Sequence, residues 1–194
     1  MKTGDCGFKV KIVSALLLVI LATPAMVPAE PPRKGGPLPS IMLPIPKSVE
    51  EKTYLGLSGT GTFKIPQIRA DVVIVEVFSM YCPFCQKDAP GVNEVYDKIQ
   101  KDPGLRSRIK MIGIGAGNSA FEVETYKKTF EVLFPLFPDA DYVIHRACGE
   151  VRTPYFIGVR IQKGKSHQVF LSQQGGFPGA RPFLEQILKE SRLK

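Results

Sequence analysis

The stretch Asp71 to Pro90, DVVIVEVFSMYCPFCQKDAP, joins a run of mostly apolar, β-branched residues directly to two cysteines, Cys82 and Cys85, spaced two residues apart. Val72 to Phe78 is nearly continuous in apolar side chains, as suits a central strand covered on both faces. The dithiol opens a segment of helical character, with Val92, Val95, Tyr96 and Ile99 at helical spacing up to Lys101. A helix N-terminus presents unpaired N–H groups and the positive end of the peptide dipoles. A cysteine held there loses its proton more readily than a free thiol, and the thiolate is the nucleophile of disulfide exchange. Two intervening residues let the second sulfur reach the first.

Three more features sharpen the reading. Glu76 is the only charge between Val72 and Phe84. An ionised carboxylate in such a run is costly unless paired, so Glu76 is expected to be neutral or strained. Pro90, eight residues after Cys82, interrupts a helical pattern. Thr153-Pro154 precedes the strand-like YFIGVRI, and a proline at the head of a strand is a candidate cis peptide.

On these residues the chain resembles the thioredoxin superfamily: Glu76 as buried acid, Cys82-Pro83-Phe84-Cys85 as dithiol, Ala89-Pro90 as helix kink and Thr153-Pro154 as cis-proline loop. Sixty-eight residues separate Cys85 from Pro154, more than a minimal thioredoxin needs. That length is similar to the inserted strand and helix of the TlpA/ResA-like thiol-disulfide oxidoreductases. The resemblance implies an α/β thioredoxin fold, with a central mixed β-sheet flanked by helices, an inserted strand-helix and an N-terminal hairpin. The string EVFSMYCPFC also looks like the DsbA-type oxidases. Tyr81 stands where the reductases commonly carry tryptophan, and the chain has no Trp.

The N-terminus has the three parts of a secretory signal: Lys2, Lys9 and Lys11, an apolar run from Ile12 to Ala22, and small residues and prolines to Ala29. Residues 1–29 are therefore expected to be a signal peptide cleaved after Ala25 or Ala29, or an uncleaved anchor using residues 12–27. Eleven residues, apolar except for Ser14, are short against the roughly 20 of a membrane span. Either form places the domain outside the cytoplasm, in a bacterial periplasm. Residues 30–50, rich in Pro and Gly, read as a linker or a strap lying over the domain, and 51–194 as the thioredoxin-like domain. Cleavage after Ala29 leaves 23 Lys+Arg against 17 Asp+Glu, a net charge of +6. The basic residues are scattered without interleaved aromatics, which speaks against a nucleic-acid partner.

Along the domain, Thr53–Pro66 is expected to form an edge hairpin, Ile109–Ile114 a strand, and Ser119–Phe130 a helix with Ser119 and Glu122 as a capping box. A short strand at Phe134–Phe137 and a helix over Asp139–Ala147 follow. Tyr155–Ile161 and His167–Ser172 flank a Lys163-Gly164-Lys165 turn, and Ala180–Ser191 forms the last helix.

In the expected mechanism Cys82 attacks a client disulfide and Cys85 resolves the intermediate, while Glu76 accepts and returns the Cys85 proton. The resemblance implies that Thr153, beside Pro154, pairs with the client backbone. Pro83, Phe84 and Tyr81 border the sulfurs and complete the substrate-binding set. No cofactor is expected beyond the redox-active Cys82–Cys85 disulfide. Partners are protein thiol clients and a membrane electron donor or acceptor, with membrane contact only if the N-terminal segment is retained. Reductase is the favoured direction and a DsbA-like oxidase the alternative. From another class, Cys82, Cys85, His145 and Cys148 are of the right types for a non-catalytic zinc module, although Cys148 reads first as a buried, inert thiol. A peroxiredoxin is disfavoured: Ser79 fits its hydroxyl position, but Val75 occupies its proline position, and a second cysteine at Cys85 favours exchange.

Overall fold

The computed structural model of the protein describes residues 1, 29–162, 167–175 and 177–193. The stretch that decides the fold forms β3 (Val72–Phe78), all seven residues of which are buried. It sits at the centre of a five-stranded mixed sheet. On one side it pairs in parallel with β4 (Ile109–Ala116), Val75 opposite Ile112. On the other it pairs antiparallel with β6 (Tyr155–Arg160), Val75 opposite Ile157. The inserted β5 (Leu136–Asp139) adds in parallel to the C-terminal half of β4, and β7 (Gln168–Gln174) adds antiparallel to β6. A strand paired at both edges and covered on both faces has no solvent-facing side, hence the nearly unbroken apolar run.

Alternation along β3 divides the core. Val73, Val75 and Val77 pack on one face with Ile112, Ile114, Ile157 and Cys148. Val72, Ile74 and Phe78 pack on the other with Cys85, Val92, Val95 and Ile99 of helix α2 (Pro83–Lys101). That second face is completed by Val123 and Tyr126 of α3 (Ala120–Thr129) and by Phe183 and Ile187 of α5 (Ala180–Ser191). Helix α2 runs through Pro90, whose missing N–H leaves the Gln86 carbonyl without its helical donor. The Ser119 capping box forms as expected: Glu122 N–H donates to Ser119 Oγ, and Ser119 N–H donates to the Glu122 carboxylate at 2.7 Å.

The N-terminal region departs from expectation. Thr53–Pro66 does not form a hairpin. Thr53 to Leu55 complete helix α1 (Val49–Leu55), capped by Ser48, which accepts from Glu51 N–H, and by Gly56 in the left-handed region. Both caps satisfy backbone groups that a hairpin would have used otherwise. The antiparallel pair instead joins β1 (Met42–Pro44) to β2 (Thr62–Lys64) across the helix. The Pro/Gly-rich stretch is thereby built into the folded body, with Ile41 and Leu43 buried and the intervening Met42 exposed. Upstream of β1 it straps the outer edge of β7: Gly35 N–H donates to Val169 C=O and Val169 N–H to Gly36 C=O. A strap of this kind blunts an open sheet edge.

The helix expected over Asp139–Ala147 is shorter, α4 (Val143–Ala147), because Asp139 ends β5 and its carboxylate accepts from the N–H groups of Ile144 and His145. The expected signal or anchor and the Lys163-Gly164-Lys165 turn lie almost wholly outside the described residues. Among the described residues, no helix is long and apolar enough to cross a membrane.

The strap's hold is testable. Gly149 has φ +79°, and a Cβ there would lie 2.4 Å from Pro31 N, whereas Gly35, at φ +83°, has open space around it. Gly149→Ala should lower unfolding stability by about 2–3 kcal/mol and expose residues 30–36 to protease, while Gly35→Ala should cost about 1 kcal/mol through backbone strain alone. Urea denaturation of both variants checks this; equal costs would dismiss the Gly149–Pro31 contact.

Candidate active site

The C-terminal end of β3 delivers the chain through a turn, Ser79-Met80-Tyr81, to Cys82, the N-cap of α2. The turn is pinned at several points. Met80 N–H donates to Asn118 Oδ1 at 2.8 Å, and Gln86 Nε2 donates to Met80 C=O at 2.7 Å. Cys82 N–H donates to Ser79 C=O, and the Tyr81 hydroxyl donates to the Glu122 carboxylate. The Asn118 contact ties the loop after β4 to the turn after β3, so the two neighbouring parallel strands position the dithiol together.

Both thiols are free, and their surroundings differ sharply. Cys82 is half-buried, and its Sγ accepts from Cys85 N–H at 3.3 Å and lies 3.3 Å from Thr153 C=O. Burial by itself raises its pKa. Hydrogen bonds from the Cys85 thiol, from the Thr153 side chain and from the N–H groups of Cys85 and Phe84 outweigh it, and the net shift is downward. Cys85 is fully buried on the α2 side of the sheet. Burial raises its pKa strongly, and its hydrogen bond to Cys82 and the nearby Glu76 add to the rise.

Glu76 is 3% exposed, and its Oε1 has no hydrogen-bond partner among the described residues. Burial, followed by the charge of Asp88, pushes its pKa up to about 8. Asp88 is itself half-buried and raised by burial. Glu76 thus lies near enough to both Cys85 and Asp88 to interact with each, enclosed where Asp88 reaches the surface. Tyr126, stacked between Phe78 and Phe130, donates its hydroxyl to Cys85 C=O at 3.0 Å and fixes the first turn of α2 from behind.

Around the sulfurs, Tyr81 and Phe84 are 67% and 69% exposed. Thr153-Pro154 is a cis peptide, and it brings the Thr153 carbonyl against Cys82. Cys82, Cys85, Glu76, Thr153, Pro154, Pro83, Phe84 and Tyr81 thus meet at one end of the sheet. The zinc set does not. Cys148 is buried in the core on the opposite face of the sheet from Cys85, and His145 Nε2 is engaged with Val151 C=O at 2.8 Å. Among the described residues no group of three or more His, Cys, Asp or Glu is arranged to hold a metal. Burial pushes the Cys148 thiol up to about 12, in keeping with an inert role.

Sequence reasoning missed three contributors. Asp88 lies one helical turn after Cys85, so an i, i+3 search from the dithiol would have found it. Asn118 and Tyr126 act from β4's loop and from α3, and only the fold brings them near.

Solved structures with this architecture include the thioredoxin domain of a thiol-disulfide oxidoreductase from Bacteroides vulgatus, with TM-score 0.58, 11% identity, and 80% of this chain and 98% of that one covered. StoA from Bacillus subtilis matches with TM-score 0.54 and 18% identity over 77% of this chain and 97% of its own. A secreted Mycobacterium tuberculosis disulfide oxidoreductase homologous to E. coli DsbE matches with TM-score 0.50 and 17% identity over 67% and 90%. The chain therefore has the thioredoxin fold. No protein-family model and no curated protein sequence matches it.

The raised pKa of Glu76 carries a stability consequence of definite sign. The folded state holds the proton up to about pH 8, whereas the unfolded chain releases it near 4.5. Between those values the unfolded state binds fewer protons, so stability falls as pH rises. Glu76→Gln, which mimics the protonated acid, should flatten that decline and be more stable than the parent at pH 8, by roughly 3–5 kcal/mol at most. Urea unfolding at pH 5 and pH 8 measures it; parallel pH dependences of parent and variant would remove the burial cost assigned to Glu76.

Proposed function

We propose that this chain is an extracytoplasmic thiol-disulfide oxidoreductase that exchanges disulfides with protein clients and works as a reductase. The observation that carries the reading is the inequality of the two thiols. One is accessible, held at a helix N-terminus and shifted toward the thiolate; the other is buried and shifted toward the thiol. An attacking sulfur needs the first condition, and a resolving sulfur that must wait for its partner needs the second.

The steps follow. The Cys82 thiolate attacks one sulfur of a client disulfide; the Cys82–client bond forms, the client S–S bond breaks, and the departing client thiolate takes a proton. Cys85 then gives its proton to Glu76 and attacks Cys82 Sγ, expelling the second client thiolate. The client gains two electrons and the Cys82–Cys85 disulfide forms. A carboxyl with a pKa of about 8 is partly ionised near neutral pH, so it can take up and return this proton, with the half-buried Asp88 carboxyl near enough to raise its pKa. A donor dithiol reverses the sequence to regenerate the enzyme. For a domain outside the cytoplasm we place that donor in the membrane.

The direction rests on what stabilises the Cys82 thiolate. A strongly stabilised thiolate favours the reduced dithiol and makes an oxidant. Pro83 and Phe84 supply no side-chain donor or charge, so Cys82 relies on backbone N–H groups, the Cys85 thiol and Thr153. That moderate set favours a reductase. Export is supported by the three-part pattern of residues 1–29.

Two experiments test the proposal. Cys85→Ser should accumulate mixed disulfides with clients and Cys82→Ser should not, and alkylation of Cys82 should titrate below the roughly 8.5 of a free cysteine. Equal trapping by both variants would overturn this assignment of attacker and resolver. Equilibration with dithiothreitol buffers should give a reduction potential near or below about −250 mV; a value near about −120 mV would make the protein a disulfide-forming oxidase instead.

A further inference from the structure

Beside the dithiol runs an open groove of about 370 Å³, whose polar lining consists of Ser79, Tyr142, His145, Arg152 and Thr153. Two of these residues tie it to the reacting sulfur: the Ser79 carbonyl accepts from Cys82 N–H at 3.0 Å, and the Thr153 carbonyl lies 3.3 Å from Cys82 Sγ. A client cysteine joined to Cys82 therefore lies at the mouth of this groove, and its chain neighbours lie along it.

The groove's charge is one-sided. Arg152 is exposed, and among the described residues its guanidinium has neither a hydrogen bond nor an ion pair. The groove lining contains no carboxylate. Asp139, at the start of the neighbouring turn, is buried and occupied by the N–H groups of Ile144 and His145, and the exposed Glu150, two residues before Arg152, makes no ion pair with it among the described residues. The Tyr142 hydroxyl is a second donor without a partner among the described residues, and the left-handed backbone of Tyr142, φ +57°, turns its ring over Gly117. His145 is held to Val151 C=O, which fixes the base of the loop carrying Arg152. The result is a fork of cationic and hydroxyl donors, one residue away from Thr153, facing solvent with no internal partner.

We infer that this groove selects clients carrying an aspartate or glutamate within two residues of the reactive cysteine. An extended client advances about 3.3 Å per residue, so the side chain one or two positions from its cysteine reaches Arg152 when the cysteine is at Cys82. A carboxylate fits the guanidinium fork, which binds planar anions through paired N–H donors. The charge also steers encounter, and a lysine at the same client position is repelled. This inference rests on the exchange function proposed above.

The test uses single-cysteine peptides activated as 2-pyridyl disulfides, identical except for Asp, Asn or Lys two residues from the cysteine on either side. Attack by Cys82 on the peptide sulfur releases pyridine-2-thione, which is followed by absorbance, and Cys85 then expels the peptide thiol. At low ionic strength the Asp peptide should react about five- to tenfold faster than the Lys peptide, with Asn between, and salt should narrow the gap. In Arg152→Gln the ratio should fall to about one, and in Arg152→Glu it should invert. Arg192→Gln removes the same charge at the opposite end of the sheet and should leave the ratio as in the parent. Equal rates for the three peptides, or a ratio lowered as much by Arg192→Gln as by Arg152→Gln, would overturn the inference while the exchange function stands. Failure of every variant and parent to react with the Asn peptide would remove the exchange function and this inference with it.

Discussion

Everything at the active end of this molecule depends on β3 being paired along both edges and covered on both faces. A strand in that position admits no water, so its side chains must be apolar or accept the penalty of burial. Glu76 accepts it. Its carboxyl is held in the protonated form into the range where thiol chemistry operates, and the same strand carries the chain straight into the helix whose first turn holds the sulfurs. Strand burial, acid and dithiol are one continuous device; moving the strand would move all three.

The division of labour between the thiols follows from where α2 begins. Cys82 is outside the helix and accepts a hydrogen bond from it, whereas Cys85 is inside and faces the core. Three residues of helix place a chemically identical pair in unequal surroundings, one sulfur favouring the thiolate and the other the thiol. The neighbouring strand's loop, through Asn118, and α3, through Tyr126, hold that arrangement from two sides. The Cys82 thiolate form is favoured by hydrogen bonds from the Cys85 thiol and Thr153, with the N–H groups of the helix start adding to them, so the intervening Pro83 and Phe84 can be apolar.

The groove beside the sulfurs also carries donors left unspent: the Arg152 guanidinium and the Tyr142 hydroxyl have no partner among the described residues. Some charged groups along the helices pair locally, as Glu94 with Lys98 and Glu124 with Lys128 do one helical turn apart. Arg152 does not, and it stands beside the residue that touches Cys82. On the proposed exchange function, that unspent hydrogen-bonding capacity is available to clients.

The local sequence alone determined β3, the dithiol at a helix start, the Ser119 capping box, the last helix and the Thr153-Pro154 loop. Each is set by residues within one or two turns: an apolar run, a cap, a proline. The N-terminal part was misjudged because its cues are contradictory at short range. Prolines and glycines hid the alternation of Ile41, Met42 and Leu43, and the strand partner of β1 lies about 20 residues on, beyond a helix. Only the tertiary structure decided that Cys148 and Cys85 fall on opposite faces of the sheet, which dissolves the zinc set. It alone brought Asp88 to Glu76, Asn118 to Met80 and Arg152 to the rim of the sulfur. Those contacts join residues far apart in the chain or on different elements, and a one-dimensional pattern holds no distance between them.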